Sequence, residues 1–77
     1  MEVINKEITL TRREEEVLSL IAEGKSSREV AAILNCSKRT VDFHLENIFD
    51  KLRVSNRIQA LHRAEKLRLI PQIVALK

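Results

Sequence analysis

Val41, Leu45, Ile48 and Leu52 recur at spacings of four, three and four. At 3.6 residues per turn each position advances roughly 100°, so these side chains fall within roughly 60° of one another and form one apolar stripe. The stretch from Cys36 to Arg53, CSKRTVDFHLENIFDKLR, therefore predicts a helix from near Lys38 to Leu52 with Ser37 as its N-cap. Its outward face carries Arg39, Asp42, Phe43, Glu46 and Asn47.

The same pattern predicts three further helices. Thr11 followed by Glu14 is a capping-box signature, with Leu10 before it as the outer half of a hydrophobic staple. The first helix is expected from about Arg12 to Glu23, with Val17, Leu18, Leu20 and Ile21 as its stripe and Gly24 as its stop. Ser26 with Glu29 is a second capping box, opening a helix over 27–34 whose inward residues are Val30, Ala31, Ile33 and Leu34, with Asn35 as a left-handed stop. Only Cys36 and Ser37 separate it from the long helix. A short helix, a tight turn and a second amphipathic helix make the helix-turn-helix arrangement.

Ser55 is expected to cap a fourth helix over about Asn56 to Leu69, and Pro71 to stop it before the apolar tail Ile73, Val74, Ala75 and Leu76. Within it, Ala60, Ala64 and Leu67 cluster within roughly 60°, whereas Ile58, Leu61, His62, Glu65 and Leu69 lie on a broad opposite arc. If the first group enters the core, the second is left for a partner, for a further domain, or to cover the core of an isolated domain. Residues 1–9 show no period and read as a lead-in or linker, 10–70 as the domain and 71–77 as a C-terminal tail.

Composition agrees with an all-α, four-helix reading. One glycine, one proline and abundant Leu, Ile, Ala, Glu, Lys and Arg favour helices. At 77 residues the chain is one small domain of the size that buries only about 60% of its unfolded surface.

Charge changes the picture more. Residues 1–35 hold five Lys/Arg against seven Glu, net −2, whereas residues 36–77 hold nine Lys/Arg against four Asp/Glu, net +5. The basic half contains the long helix, which fits an anionic partner such as DNA; a solvated helix surface is the plainer explanation. The single cysteine, Cys36, excludes an intramolecular disulfide and a cysteine zinc cluster, and suits a reducing cytosol. With no signal core and no apolar run of about 18 residues, a soluble cytoplasmic domain away from membranes is expected.

The candidate chemistry lies on the outward face of the long helix. Phe43 falls about 200° from Val41. A large aromatic pointing away from the stripe, among hydrogen-bonding side chains, is what a helix reading base edges in a major groove presents. Period alone also allows Phe43 to fold onto a neighbouring helix. Thr40 sits in the first turn, where its hydroxyl and the helix amides suit a phosphate oxygen or a local cap. Lys25, Arg28, Arg53 and Arg57 are backbone-phosphate candidates, each of which could equally be solvated. Glu14, Glu15 and Glu16 suit the helix dipole and lack the pocket that acid/base chemistry needs. His44, near the edge of the stripe, reads as structural: the only other histidine is His62, and no i, i+4 ligand pair exists. Neither a catalytic constellation, a cofactor motif nor metal spacing is present.

Taken together, LTRREEEVLSLIAEGKSSREVAAILNCSKRTVDFHLENIFDKLRVSNRIQALHRA, residues 10–64, resembles the four-helix DNA-binding domain of the LuxR/FixJ/GerE family of bacterial transcription regulators. The distinctive elements are Leu10-Thr11 with Arg13-Glu14, Ile21-Ala22-Glu23-Gly24, Glu29-Val30-Ala31, Ser37, Thr40-Val41, His44, and Lys51-Leu52 followed by Val54, Asn56-Arg57 and Ala60.

The resemblance implies a cytoplasmic regulator, not an enzyme, that binds double-stranded DNA. Helix 38–52 would enter the major groove while helix 27–34 braces it. It implies base-facing positions at Asp42, Phe43 and Glu46, with Arg39 beside them. Phosphate or nearby base contacts fall at Lys38, Arg39, Thr40, Asn47 and Lys51, and Arg28 and Arg57 join the phosphate set. It further implies a homodimer on DNA through the fourth helix, for which the broad arc read from the helical step offers Ile58, Leu61, His62 and Glu65; contact with RNA polymerase is a separate expectation, not part of the resemblance. Asp42 and Glu46 depart from the basic or amide residues common there. Carboxylates facing a polyanion reduce non-specific affinity and are best tolerated where they accept from a cytosine amino group. The rival expectation is a helical protein-interaction module with lost or weakened DNA binding, and these two carboxylates are its best support.

Overall fold

In the computed structural model, which describes residues 9–69, four helices follow one another: α1 (Arg12–Ala22), α2 (Ser27–Leu34), α3 (Lys38–Leu52) and α4 (Arg57–Lys66). No strand occurs among the described residues. The expectations for Pro71, the apolar tail and residues 1–8 of the lead-in lie outside them.

Each helix starts on a side chain that accepts from an otherwise unpaired amide. Thr11 accepts from the Glu14 N–H while the Glu14 carboxylate accepts from the Thr11 N–H at 3.0 Å, and Ser26 and Glu29 form the same reciprocal box. Ser37 caps α3 by accepting from the Thr40 N–H. The cap of α4 is Asn56, whose side-chain oxygen accepts from the Gln59 N–H, and not Ser55 as the sequence suggested. Ser55 contributes its backbone N–H instead, donating to the Gln59 side chain at 2.9 Å.

All four helices end in one kind of reversal. After each last turn a residue with positive φ turns the chain: Gly24 at 95°, Asn35 at 59°, Arg53 at 58° and Arg68 at 56°. In each case its N–H and the next one bond back in the paired pattern of a Schellman motif, as in Gly24 N–H to Ile21 and Lys25 N–H to Leu20. For α4 these bonds run from Arg68 to Glu65 and from Leu69 to Ala64, which ends the helix at Lys66, three residues short of the expected Leu69.

The buried rows of the four helices meet in one core. Val17, Leu18 and Ile21 from α1 and Val30 and Ala31 from α2 join Val41, Leu45, Ile48 and Leu52 from α3 and Ala60 and Ala64 from α4, with Leu10 closing the N-terminal side. Full burial of a Val, Leu or Ile side chain contributes about 1.5–3 kcal/mol, so the stripe of α3 alone fixes that helix against its neighbours. α3 packs on each of the other three. Ile33, expected inward, is instead 53% exposed, while Leu34 beside it is half-buried. An eight-residue helix ending in a left-handed turn buries only one narrow strip, filled here by Ser27, Val30 and Ala31.

Candidate nucleic-acid interface

With its inner row locked in the core, α3 presents three other rows. The outermost is Arg39, Phe43, Glu46 and Asp50, all exposed and within roughly 60° of one another by the helical step. Phe43 is 60% exposed, so it does not fold onto a neighbouring helix; the His44 ring lies tilted beside it at 5.9 Å. One basic residue, Arg39, occupies the first turn of this row, and the acidic Glu46 and Asp50 its later turns. Asp50 belongs to it and was not singled out from the sequence.

The flank of α3 towards α4 carries Lys38 and Asp42. Lys38 Nζ donates to Asp42 Oδ2 at 2.7 Å, one turn apart along the helix. Asp42 is half-buried and lines a cleft with Glu46, Phe49, Asn56 and Arg57. The Lys38 hydrogen bond, with smaller contributions from the Ser27 hydroxyl and the charges of Lys38 and Arg57, outweighs desolvation and lowers the Asp42 pKa below the usual carboxylate range. Arg57 Nη2 in turn donates to the buried Ser27 hydroxyl at 3.4 Å, joining the first turns of α4 and α2. Ser27 follows the capping serine directly, and no periodicity marks its hydroxyl for this junction.

The opposite flank carries Thr40, Asn47 and Lys51. Thr40 gives its N–H to Ser37, and the two hydroxyls lie 3.0 Å apart, so the side chain is part of the cap. Asn47 is half-buried. Lys51, expected at a phosphate, has other partners: it donates to Glu14 Oε1 at 2.7 Å and to the Thr9 carbonyl at 3.3 Å. Burial penalises the charged Glu14, but the Lys51 and Thr11 hydrogen bonds and the charges of Lys51 and His44 prevail, and its pKa is lowered. Glu14 thus serves both the α1 cap and a tie to α3. Its neighbour Glu15 is exposed, and Glu16 pairs with Arg13 at 3.0 Å.

Arg28 is exposed in the first turn of α2. On α4, Ile58 is 66% exposed, His62 and Glu65 are exposed, and Leu61 is half-buried against the core. The four expected contact residues therefore divide into three on the open surface and one that also serves the fold. Among the described residues no group of three His, Cys, Asp or Glu side chains could hold a metal ion, and no helix is long and apolar enough to cross a membrane.

A braced, solvent-facing second helix joined by a tight turn to a capped first one defines a helix-turn-helix DNA-binding domain. Residues 8–64 match the family model described as bacterial regulatory proteins, luxR family, and the chain belongs to that family of transcription regulators. It is 51% identical over 61 residues to the transcriptional activator protein AnoR of Acinetobacter nosocomialis, covering 79% of this chain and 26% of AnoR. The crystal structure of the response regulator ChrA of a heme-sensing two-component system superposes with a TM-score of 0.79 at 44% identity, covering 80% of this chain and 31% of that one. The transcription factor GerE superposes with a TM-score of 0.77 at 34% identity, covering 80% of this chain and 92% of GerE. The chain spans about a quarter of the length of curated relatives such as AnoR.

Proposed function

We propose that this domain binds duplex DNA sequence-specifically by laying the first turns of α3 in the major groove, as a homodimer through α4. The observation that carries the reading is the outward row Arg39, Phe43 and Glu46, held rigidly because the opposite row of the same helix is buried. In this docking Arg39 reaches guanine acceptors, Phe43 a thymine methyl and Glu46 a cytosine amino group. The N-terminal amides of α3 and Arg28 at the start of α2 take phosphates, and Lys38 stands beside them engaged by Asp42. Asn47 stands at the edge of the groove, Arg57 grips from the start of α4, and Lys51 remains with Glu14. Two domains related by a two-fold axis through Ile58, His62 and Glu65 would place their reading helices about 34 Å apart on one face of the duplex.

The test is selection from a random duplex library with this chain at two salt concentrations. Enrichment of a pseudo-palindrome with half-sites about one helical turn apart is the expected result. Weak, salt-sensitive retention without enrichment would favour the second reading, a protein-interaction module, for which the acidic pair Glu46 and Asp50 on the outward row speaks.

A further inference from the structure

Asp42 has the sequence position of a base reader but a different setting. It stands one helical step off the outward row, on the flank that faces α4, and its carboxylate is engaged by Lys38 at 2.7 Å. Around it the first turns of three helices converge: Lys38 on α3, the buried Ser27 on α2 and Arg57 on α4, the last two joined at 3.4 Å. A carboxylate among two cations and a buried hydroxyl is neutralised locally, which removes the repulsion that a bare carboxylate would meet beside phosphates.

We propose that Asp42 is a positioning residue that neutralises Lys38 at the junction of α2, α3 and α4, and so sets how strongly the domain grips any duplex without choosing a base. The inference rests on the DNA-binding reading above. It has a physical consequence that a base reader does not share. Each phosphate neutralised by a cation adds about 0.9 to the slope of log affinity against log salt. A Lys38 held by Asp42 contributes little to that slope, whereas a released Lys38 contributes in full.

The experiment compares the 77-residue chain with Asp42→Asn, measuring affinity for random-sequence duplex over a salt series and base preference by library selection. Asp42→Asn is expected to tighten non-specific binding several-fold at low salt, to steepen the slope by about 0.9, and to leave the selected sequence unchanged. Lys38→Met in the Asp42→Asn background should abolish the steepening, and Asp42→Glu, which restores a carboxylate, should return the original slope. A changed base preference at one position of each half-site, with the slope unaltered, would make Asp42 a reader and overturn the proposal. So would a variant that alters neither quantity, because the pair would then lie off the duplex. Failure of the unsubstituted chain to retain duplex at either salt overturns the DNA-binding reading itself, and shows in the reference arm before any variant is compared.

Discussion

Lys51 and Glu14 lie 37 positions apart in sequence, yet the ammonium of one stands 2.7 Å from the carboxylate of the other. The Glu14 side chain is only 5% exposed and that of Lys51 36%, so the pair is partly sheltered and ties the end of α3 to the start of α1. Lys51→Met strips the carboxylate of its charge partner and leaves it the Thr11 N–H. A buried acceptor deprived of a partner costs about 1–3 kcal/mol. Solvent screening on the lysine side places this loss in the lower half of that range. Thermal melting should show Tm lower by roughly 5–10 °C, with the salt slope of DNA binding unchanged. An unchanged Tm with a slope reduced by about 0.9 would mean that Lys51 serves phosphate instead.

The same pair imposes a pH dependence. Glu14 has its folded-state pKa below the unfolded value. Its contribution is therefore fully present above the unfolded pKa, near about 4.3, and is lost as pH falls through the lowered folded value. Melting curves of the chain and of Glu14→Gln should differ most near neutral pH and converge in acid below that range. A gap that widened on acidification would reverse the sign and refute the assignment.

The helix ends show where the sequence was legible and where it was not. Both capping boxes and the two stops at Gly24 and Asn35 follow from residue types that favour those geometries, and the structure has them. Arg53 and Arg68 adopt the same left-handed turn without any such preference, because the packing of Val54 and Leu69 back onto the core dictates it. That is why the fourth helix ends three residues before the expected Leu69; its cap is Asn56 because serine and asparagine are both favoured caps and residue type does not choose between neighbours. The inner row of α3 was legible from period alone, as was the exposure of Arg39, Phe43 and Glu46. Lys38, four residues before Asp42 on the same helix, was also within reach of the period, whereas Ser27, Arg57 and Glu14 come to Asp42 and Lys51 only through tertiary packing.

Those turns make a prediction of opposite signs. A left-handed residue with a Cβ costs roughly 1–2 kcal/mol relative to glycine in the same conformation, partly offset by the freedom glycine adds to the unfolded chain. Gly24→Ala has open space for its methyl group, so backbone strain alone should destabilise it, by about 1 kcal/mol. Arg53→Gly should stabilise by roughly 0.5 kcal/mol for the same reason. Urea denaturation midpoints that move the same way for both would exclude this account.

Phe43 separates binding from folding. With 60% of its surface exposed it adds little to the core, and Phe43→Ala should leave stability within about 0.5 kcal/mol. Affinity for the selected duplex should nevertheless fall about tenfold, the equivalent of roughly 1.4 kcal/mol. The loss should be concentrated at one base position, because an apolar contact to a thymine methyl is local. A loss spread evenly over all sequences would mean that Phe43 packs on the sugar-phosphate backbone.

Ile58 tests the dimer most directly. It lies in the first turn of α4 with 66% of its surface exposed, one residue beyond Arg57, whose guanidinium holds the start of α2 through Ser27. Because α4 also packs on α3, with Ala60 and Ala64 in the shared core, a contact through Ile58 would be rigidly linked to the reading helix, and the spacing between two such helices would be set by packing. Ile58→Glu places a charge in the centre of the proposed contact, and a second copy of that charge directly across the two-fold axis, so the penalty falls on association and not on folding. Sedimentation on a two-half-site duplex should shift from cooperative loading of two domains to independent filling of the half-sites, with the melting temperature and the affinity for a single half-site unaltered. If two Ile58→Glu domains still assemble cooperatively on the full site, the dimer contact lies elsewhere, and α4 serves only to brace α3.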